Sequence, residues 1–151
     1  MESIVRDLFE RLKKLHEEAE AALAGLPQEG LDWSPGPGMN SLGVLAVHIA
    51  GSERFWIGDA ITMKPSGRDR ESEFRTKGLP AEVLSERLRA SLGFVNNVLA
   101  GLNIQELSTV RPSPRDGKPL TVGYCLAMAL AHTAAHVGHM QVTRQLWENS
   151  H

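Results

Sequence analysis

Between Pro119 and Thr143 the chain carries no Asp, Glu, Lys or Arg, and this otherwise apolar stretch holds three of the six histidines, His132, His136 and His139. Its length, and the absence of any proline after Pro119, favour one long helix over strands. Thr121 supplies a side-chain oxygen suited to capping its start, and charge returns only at Arg144 and Glu148, near the expected end. Apolar residues occur nearly all round this helix (Val122, Tyr124, Leu126, Met128, Leu130, Val137, Met140, Val142), which is more than one bundle face buries. The surplus predicts a second covered surface and hence a homodimer with two-fold symmetry.

On a helix, residues three and four apart are neighbours, so the three imidazoles fall within a sector of roughly 60°. Two histidines at i and i+4 can both lean toward one metal ion beside the helix. The alternative is a set of core histidines satisfied by hydrogen bonds. Either way, unpartnered polar groups in so apolar a helix would cost about 1–3 kcal/mol each, so a partner is required.

The 151 residues suit a single domain, 1–151, with one core. With 16 basic against 18 acidic residues, no cationic excess exists to attract a phosphate backbone, so nucleic acid is not expected as a partner. Three histidines and a glutamine in the most apolar segment argue against a membrane span. Cys125 is the single cysteine, and Met1-Glu2-Ser3 begins neither a basic region nor an apolar signal core, which fits a cytoplasmic protein. Cys125 precedes His132 by seven residues, about 10 Å along a helix, too far to share an ion, and is expected in the core.

Upstream, Ile4, Val5, Leu8, Phe9, Leu12, Leu15, Ala19, Ala22 and Leu23 recur at helical spacing with charges between them, which predicts a first amphipathic helix ending near Gly25. His16 lies at the margin of that stripe and is expected half-buried. Leu26 to Met39, dense in Pro and Gly, predicts an ordered loop anchored by Trp33. Asn40 or Ser41 caps a second helix, running to about Met63, that carries His48 among aliphatic residues. Lys64 to Gly78 is charged and turn-rich, and predicts a solvated connection with no motif. Pro80 starts a third helix in which Val83 or Leu84, Leu88, Leu92, Val95, Leu99 and Leu102 form a stripe. Asn103 to Leu120 predicts another loop, with Asp116-Gly117 at a tight turn. Four helices without a convincing strand predict an all-α four-helix bundle, antiparallel or mixed, whose long connections can cross a bundle end.

Trp33-Ser34-Pro35-Gly36, Gly38-Met39-Asn40-Ser41, His48, and His132 and His136 followed by Gly138 together resemble the DinB/YfiT-like superfamily of metal-dependent four-helix bundle proteins. The resemblance runs through most of the chain. It implies that His48, His132 and His136 hold one divalent ion, zinc or nickel, and that Glu53 and Trp56 stand where the family often has acidic and aromatic residues. His139 departs from the glutamine common there. The resemblance further implies small-molecule chemistry, in some members with a low-molecular-weight thiol of the mycothiol or bacillithiol type.

Three neutral imidazoles leave at least one position on an ion for water or a thiol. The expected function is therefore a metal-dependent hydrolase or a thiol-dependent S-transferase, with a non-catalytic, metal-stapled binding or stress-associated module as the alternative. One straight helix cannot comfortably give three histidines to one ion, because reaching His139 would stretch His132. His139 is accordingly expected as an auxiliary group, hydrogen-bonding a carboxylate or water or acting as an acid/base. No Walker loop or CxxC pair is present, so nucleotide hydrolysis and dithiol redox have no support.

Overall fold

Helix α1 (Ser3–Leu23) buries Val5, Leu12, Leu15, Ala19, Ala22 and Leu23 of its apolar stripe, while Leu8 and Phe9 are half-buried and Ile4, in the first turn, is exposed. It stops where Gly25 adopts φ +75°, the left-handed conformation that commonly ends helices. These features belong to a computed structural model that describes Met1 and residues 3–151. Ser41 caps α3 (Leu42–Glu53) by accepting from the Val44 N–H, and the helix continues in π-helical winding over Arg54–Thr62 until Met63 turns left-handed. Helix α5 spans Ala81–Ala100, and α6 spans Val122–Ser150 behind a Thr121 cap that accepts from the Tyr124 N–H. These four long helices form the bundle.

Two core clusters give the helix directions. At one end, Leu15, Ala19 and Leu23 of α1 meet Leu42 and Leu45 of α3, Leu84 and Leu88 of α5, and Val137 and Met140 of α6. At the other, Val5 and Leu12 meet Ile57, Ile61, Val95, Leu99, Val122 and Cys125. Helices α3 and α5 thus run one way, and α1 and α6 the other. Since α3 packs against α5 and α6, and α1 against the same two, the neighbours α3 and α5 are parallel, as are α1 and α6. The bundle is mixed.

A parallel pair needs a connection that returns along the bundle. Residues 63–80 make that return, with the single turn α4 (Arg70–Glu73) capped by Asp69 and packed on α3. This path positions the functional side chains described below.

Two connections are more ordered than their composition suggests. The Pro/Gly-rich loop after α1 contains the short helix α2 (Gln28–Asp32), and Trp33 beyond it meets Trp147 edge to face at 5.8 Å. The segment before α6 folds into a 3-10 turn (Ile104–Ser108) and a hairpin, β1 (Val110–Pro112) with β2 (Pro119–Thr121), whose loop contains Gly117 at φ +71°. The expectation of no strands is corrected to this extent. Hairpin and 3-10 turn pack on α6 and cover part of its apolar surface. Tyr124, Val142 and Leu146 stay exposed, while Val122, Leu126, Val137 and Met140 are buried within the chain. Among the described residues, no helix is long and apolar enough to cross a membrane.

Candidate metal centre

His48 is buried on α3, and half-buried His132 and His136 lie one turn apart on α6, the neighbour across from it. One ring nitrogen from each comes within 4.8 Å of the others. The Nε2 atoms of His48 and His132 are 3.2 Å apart, as are those of His132 and His136. Two nitrogens bound to zinc at about 2.0–2.1 Å with tetrahedral angles lie about 3.3 Å apart, so these separations fit two edges of a zinc coordination sphere.

The supporting shell comes from the returning connection. His48 Nδ1 lies 2.7 Å from Glu73 Oε2 and donates its N–H there, which turns the Nε2 lone pair toward the other histidines. Arg68 grips the same carboxylate in a fork, Nε to Oε1 at 2.6 Å and an η-nitrogen to Oε2 at 2.8 Å. Burial pushes the Glu73 carboxyl up, but hydrogen bonds from Arg68 and His48 outweigh it and hold the group below its usual range. Burial, with the neighbouring His48 and Arg68, pushes His132 down to about 4. Burial, with His132, His48 and His139, does the same to His136. Both rings are therefore neutral at pH 7, the form that binds metal.

Lys64 to Gly78, expected to be plain solvated chain, instead delivers Arg68 and Glu73. Charge-rich sequence reads as surface, and only the parallel placement of α3 and α5 brings these two inward. One sequence signal does point there. Gly51 sits inside α3 one turn beyond His48, and a Cβ on it would collide with Glu73 Oε1.

His16 is also corrected. It is buried, not half-buried, because its Nε2 lies 2.8 Å from the fully buried Glu53. Glu53 further accepts from Ser91 Oγ at 2.7 Å and Thr133 Oγ1 at 3.0 Å, forming a second polar layer across all four helices. His139 is exposed, with its Nδ1 3.4 Å from His136 Nδ1. That is the nitrogen of His136 facing away from the cluster. Cys125 lies in the core, where burial raises its thiol pKa.

The DinB superfamily model matches residues 11–140, a span holding all three histidines of the cluster and the connection behind them. The chain belongs to the DinB superfamily. Its fold recurs in a conserved protein of Enterococcus faecalis, with TM-score 0.83 at 20% identity over 99% of both chains. A DinB-like protein of Bacillus cereus ATCC 10987 gives TM-score 0.72 at 20% identity over 91% of this chain and 89% of the other. YfiT of Bacillus subtilis, described as a probable metal-dependent hydrolase with an unusual four-helix bundle topology, gives TM-score 0.77 at 15% identity over 96% and 89%. At such identities the likeness to these structures concerns the fold. No curated protein sequence matches the chain. As a DinB superfamily member it has the four-helix bundle with long connections, built here around three convergent histidines.

Proposed function

We propose that this DinB-family chain is a divalent-metal-dependent enzyme acting on a small molecule, with His48, His132 and His136 holding one zinc or nickel ion. The observation that carries the reading is the convergence of three imidazole nitrogens within 4.8 Å, two of them on rings kept neutral and the third backed by a buried carboxylate. Bound there, the ion would supply Lewis-acid activation of water, for a hydrolase, or of a low-molecular-weight thiol, for an S-transferase. The description of YfiT as a probable metal-dependent hydrolase favours the first.

The residues of this chain have separable tasks. Glu73 orients His48 by accepting from its Nδ1–H, and Arg68 fixes Glu73. His139, behind His136, is an auxiliary hydrogen-bonding or proton-carrying group. A non-catalytic staple would require a protein side chain in the fourth position. The two remaining histidines near the cluster do not supply one: His139 meets the far nitrogen of His136, and His16 is engaged by Glu53. A cleft of about 240 Å³ opens beside His48 and His132, which favours the enzyme.

Metal content after reconstitution with zinc or nickel tests the proposal. About one equivalent per chain is expected, lost in His136→Ala; content well below one equivalent in the reconstituted wild type overturns it.

A further inference from the structure

The cleft beside the histidines has an unusual rim. Arg68, Arg70 and Arg115 all line it, the first two from the returning connection and the third from the β1–β2 hairpin, while Trp56 supplies an apolar wall. The same three arginines line a larger neighbouring cavity of about 580 Å³, so they stand between the histidines and the outer cleft.

The arginines are not equivalent. Arg68 is committed to Glu73. Arg70 has only a 3.5 Å pair with Glu71, both side chains more than half exposed, and Arg115 makes no ion pair among the described residues. Each of the latter two is steadied by an aromatic ring: the Arg70 guanidinium lies 4.7 Å from the centre of Phe74, and that of Arg115 lies 5.2 Å from Phe55. Phe74 in turn packs on His48 with ring centres 4.8 Å apart. Stacking holds a guanidinium by its face and leaves its in-plane N–H donors free, the geometry that takes an oxyanion bidentately. Two such cations beside a cluster suited to a divalent cation repel one another and that ion, and an anion between them relieves the repulsion.

We infer that the cleft takes a small molecule bearing an oxyanion group, carboxylate or phosphate, gripped by Arg70 and Arg115 with its remainder against Trp56 and its reactive end toward the histidines. The orientation rests on the metal-centre reading above; the anion grip does not. The volume near the histidines admits only a compact group, with any longer portion extending past the arginines into the outer cavity.

Succinate and inorganic phosphate are the probes, titrated at low ionic strength into metal-free and zinc-reconstituted protein and followed by calorimetry and tryptophan fluorescence. Saturable binding of at least one probe to the metal-free protein is expected, with the tighter probe identifying the anionic group. Arg70→Gln and Arg115→Gln should each weaken it at least tenfold with melting temperature and zinc content unchanged, whereas Lys13→Gln, a charge loss on an exposed face of α1, should not. The inference is overturned if neither probe saturates either form, or if both arginine variants bind like wild type. Full zinc content without anion binding would overturn this inference alone. Arginine-dependent binding in a protein that cannot be loaded with zinc would overturn the metal centre and leave the anion site standing.

Discussion

His48 Nδ1 and Glu73 Oε2 meet at 2.7 Å across 25 residues of sequence, with the forked Arg68 behind the carboxylate. The contact exists because the connection between two parallel helices must travel back past α3. Replacing the carboxylate keeps the shape but removes the charge that orients His48. Glu73→Gln should therefore weaken zinc binding about 10- to 100-fold, as measured by competition with a chromophoric chelator. Unchanged affinity would mean that Glu73 serves Arg68 and the local fold only.

Gly51 offers an independent test of the same shell. An added Cβ would overlap Glu73 Oε1 and lie 2.7 Å from its Cδ and 3.1 Å from Arg68 Nε. By intrinsic propensity, alanine in a helix interior is favoured over glycine by about 1 kcal/mol. Gly51→Ala should nonetheless lower metal affinity in the direction of Glu73→Gln, with helix content by circular dichroism intact. Wild-type affinity would show that the carboxylate can shift without consequence.

The bundle was legible because its signals are local. Helical periodicity marks α1 and α5, Ser41 and Thr121 cap as their side chains suggest, and the i, i+4 spacing puts His132 and His136 together. The site's outer parts were hidden because they depend on topology. Arg68 and Glu73 look like solvent-facing charges until α3 and α5 are known to be parallel neighbours, and His16 looks marginal until Glu53 is found buried opposite it. The all-round apolar character of α6 has a similar origin, since the 3-10 turn and β2 cover surface that two neighbouring helices leave open.

The depressed histidines fix a sign for pH dependence. His132 and His136 fall to about 4 in the fold from an ordinary value of 6.5, so between these limits the unfolded chain binds protons that the folded one refuses. Their contribution to the stability of the metal-free protein is full above about pH 6.5 and is lost as pH falls toward 4. Glu73, also held below its usual range, adds a loss of the same sign at still lower pH. Urea midpoints between pH 7.5 and 4.5 should fall more steeply for wild type than for a His132→Asn/His136→Asn double variant. Parallel slopes would refute the assignment.

Glu53 should matter for stability before it matters for metal. Fully buried, it joins His16, Ser91 and Thr133, and truncation leaves His16 and Thr133 without this acceptor and Ser91 with only a long 3.4 Å bond to the Ala50 carbonyl. Glu53→Ala should cost several kcal/mol in urea unfolding, since each buried polar partner left unsatisfied costs about 1–3 kcal/mol. Glu53→Gln, which keeps an acceptor oxygen, should cost less. Equal and small losses would show that the layer contributes little.

His139 is the remaining histidine close to the centre. Its Nδ1 faces the Nδ1 of His136 at 3.4 Å, whereas the Nε2 of His136 faces His132 at 3.2 Å, so His139 lies on the far side of that ring from the cluster. To join the ion it would have to pass around His136 and displace it. An auxiliary role asks for less: His139 can hold or release a proton at the outer nitrogen of His136 while staying in solvent contact. His139→Gln keeps a hydrogen-bonding group of similar reach and should retain full zinc occupancy, with affinity changed by less than about tenfold, while His132→Ala loses the metal. Loss of zinc in His139→Gln as complete as in His132→Ala would make His139 a ligand and require His136 to rotate from the position seen here.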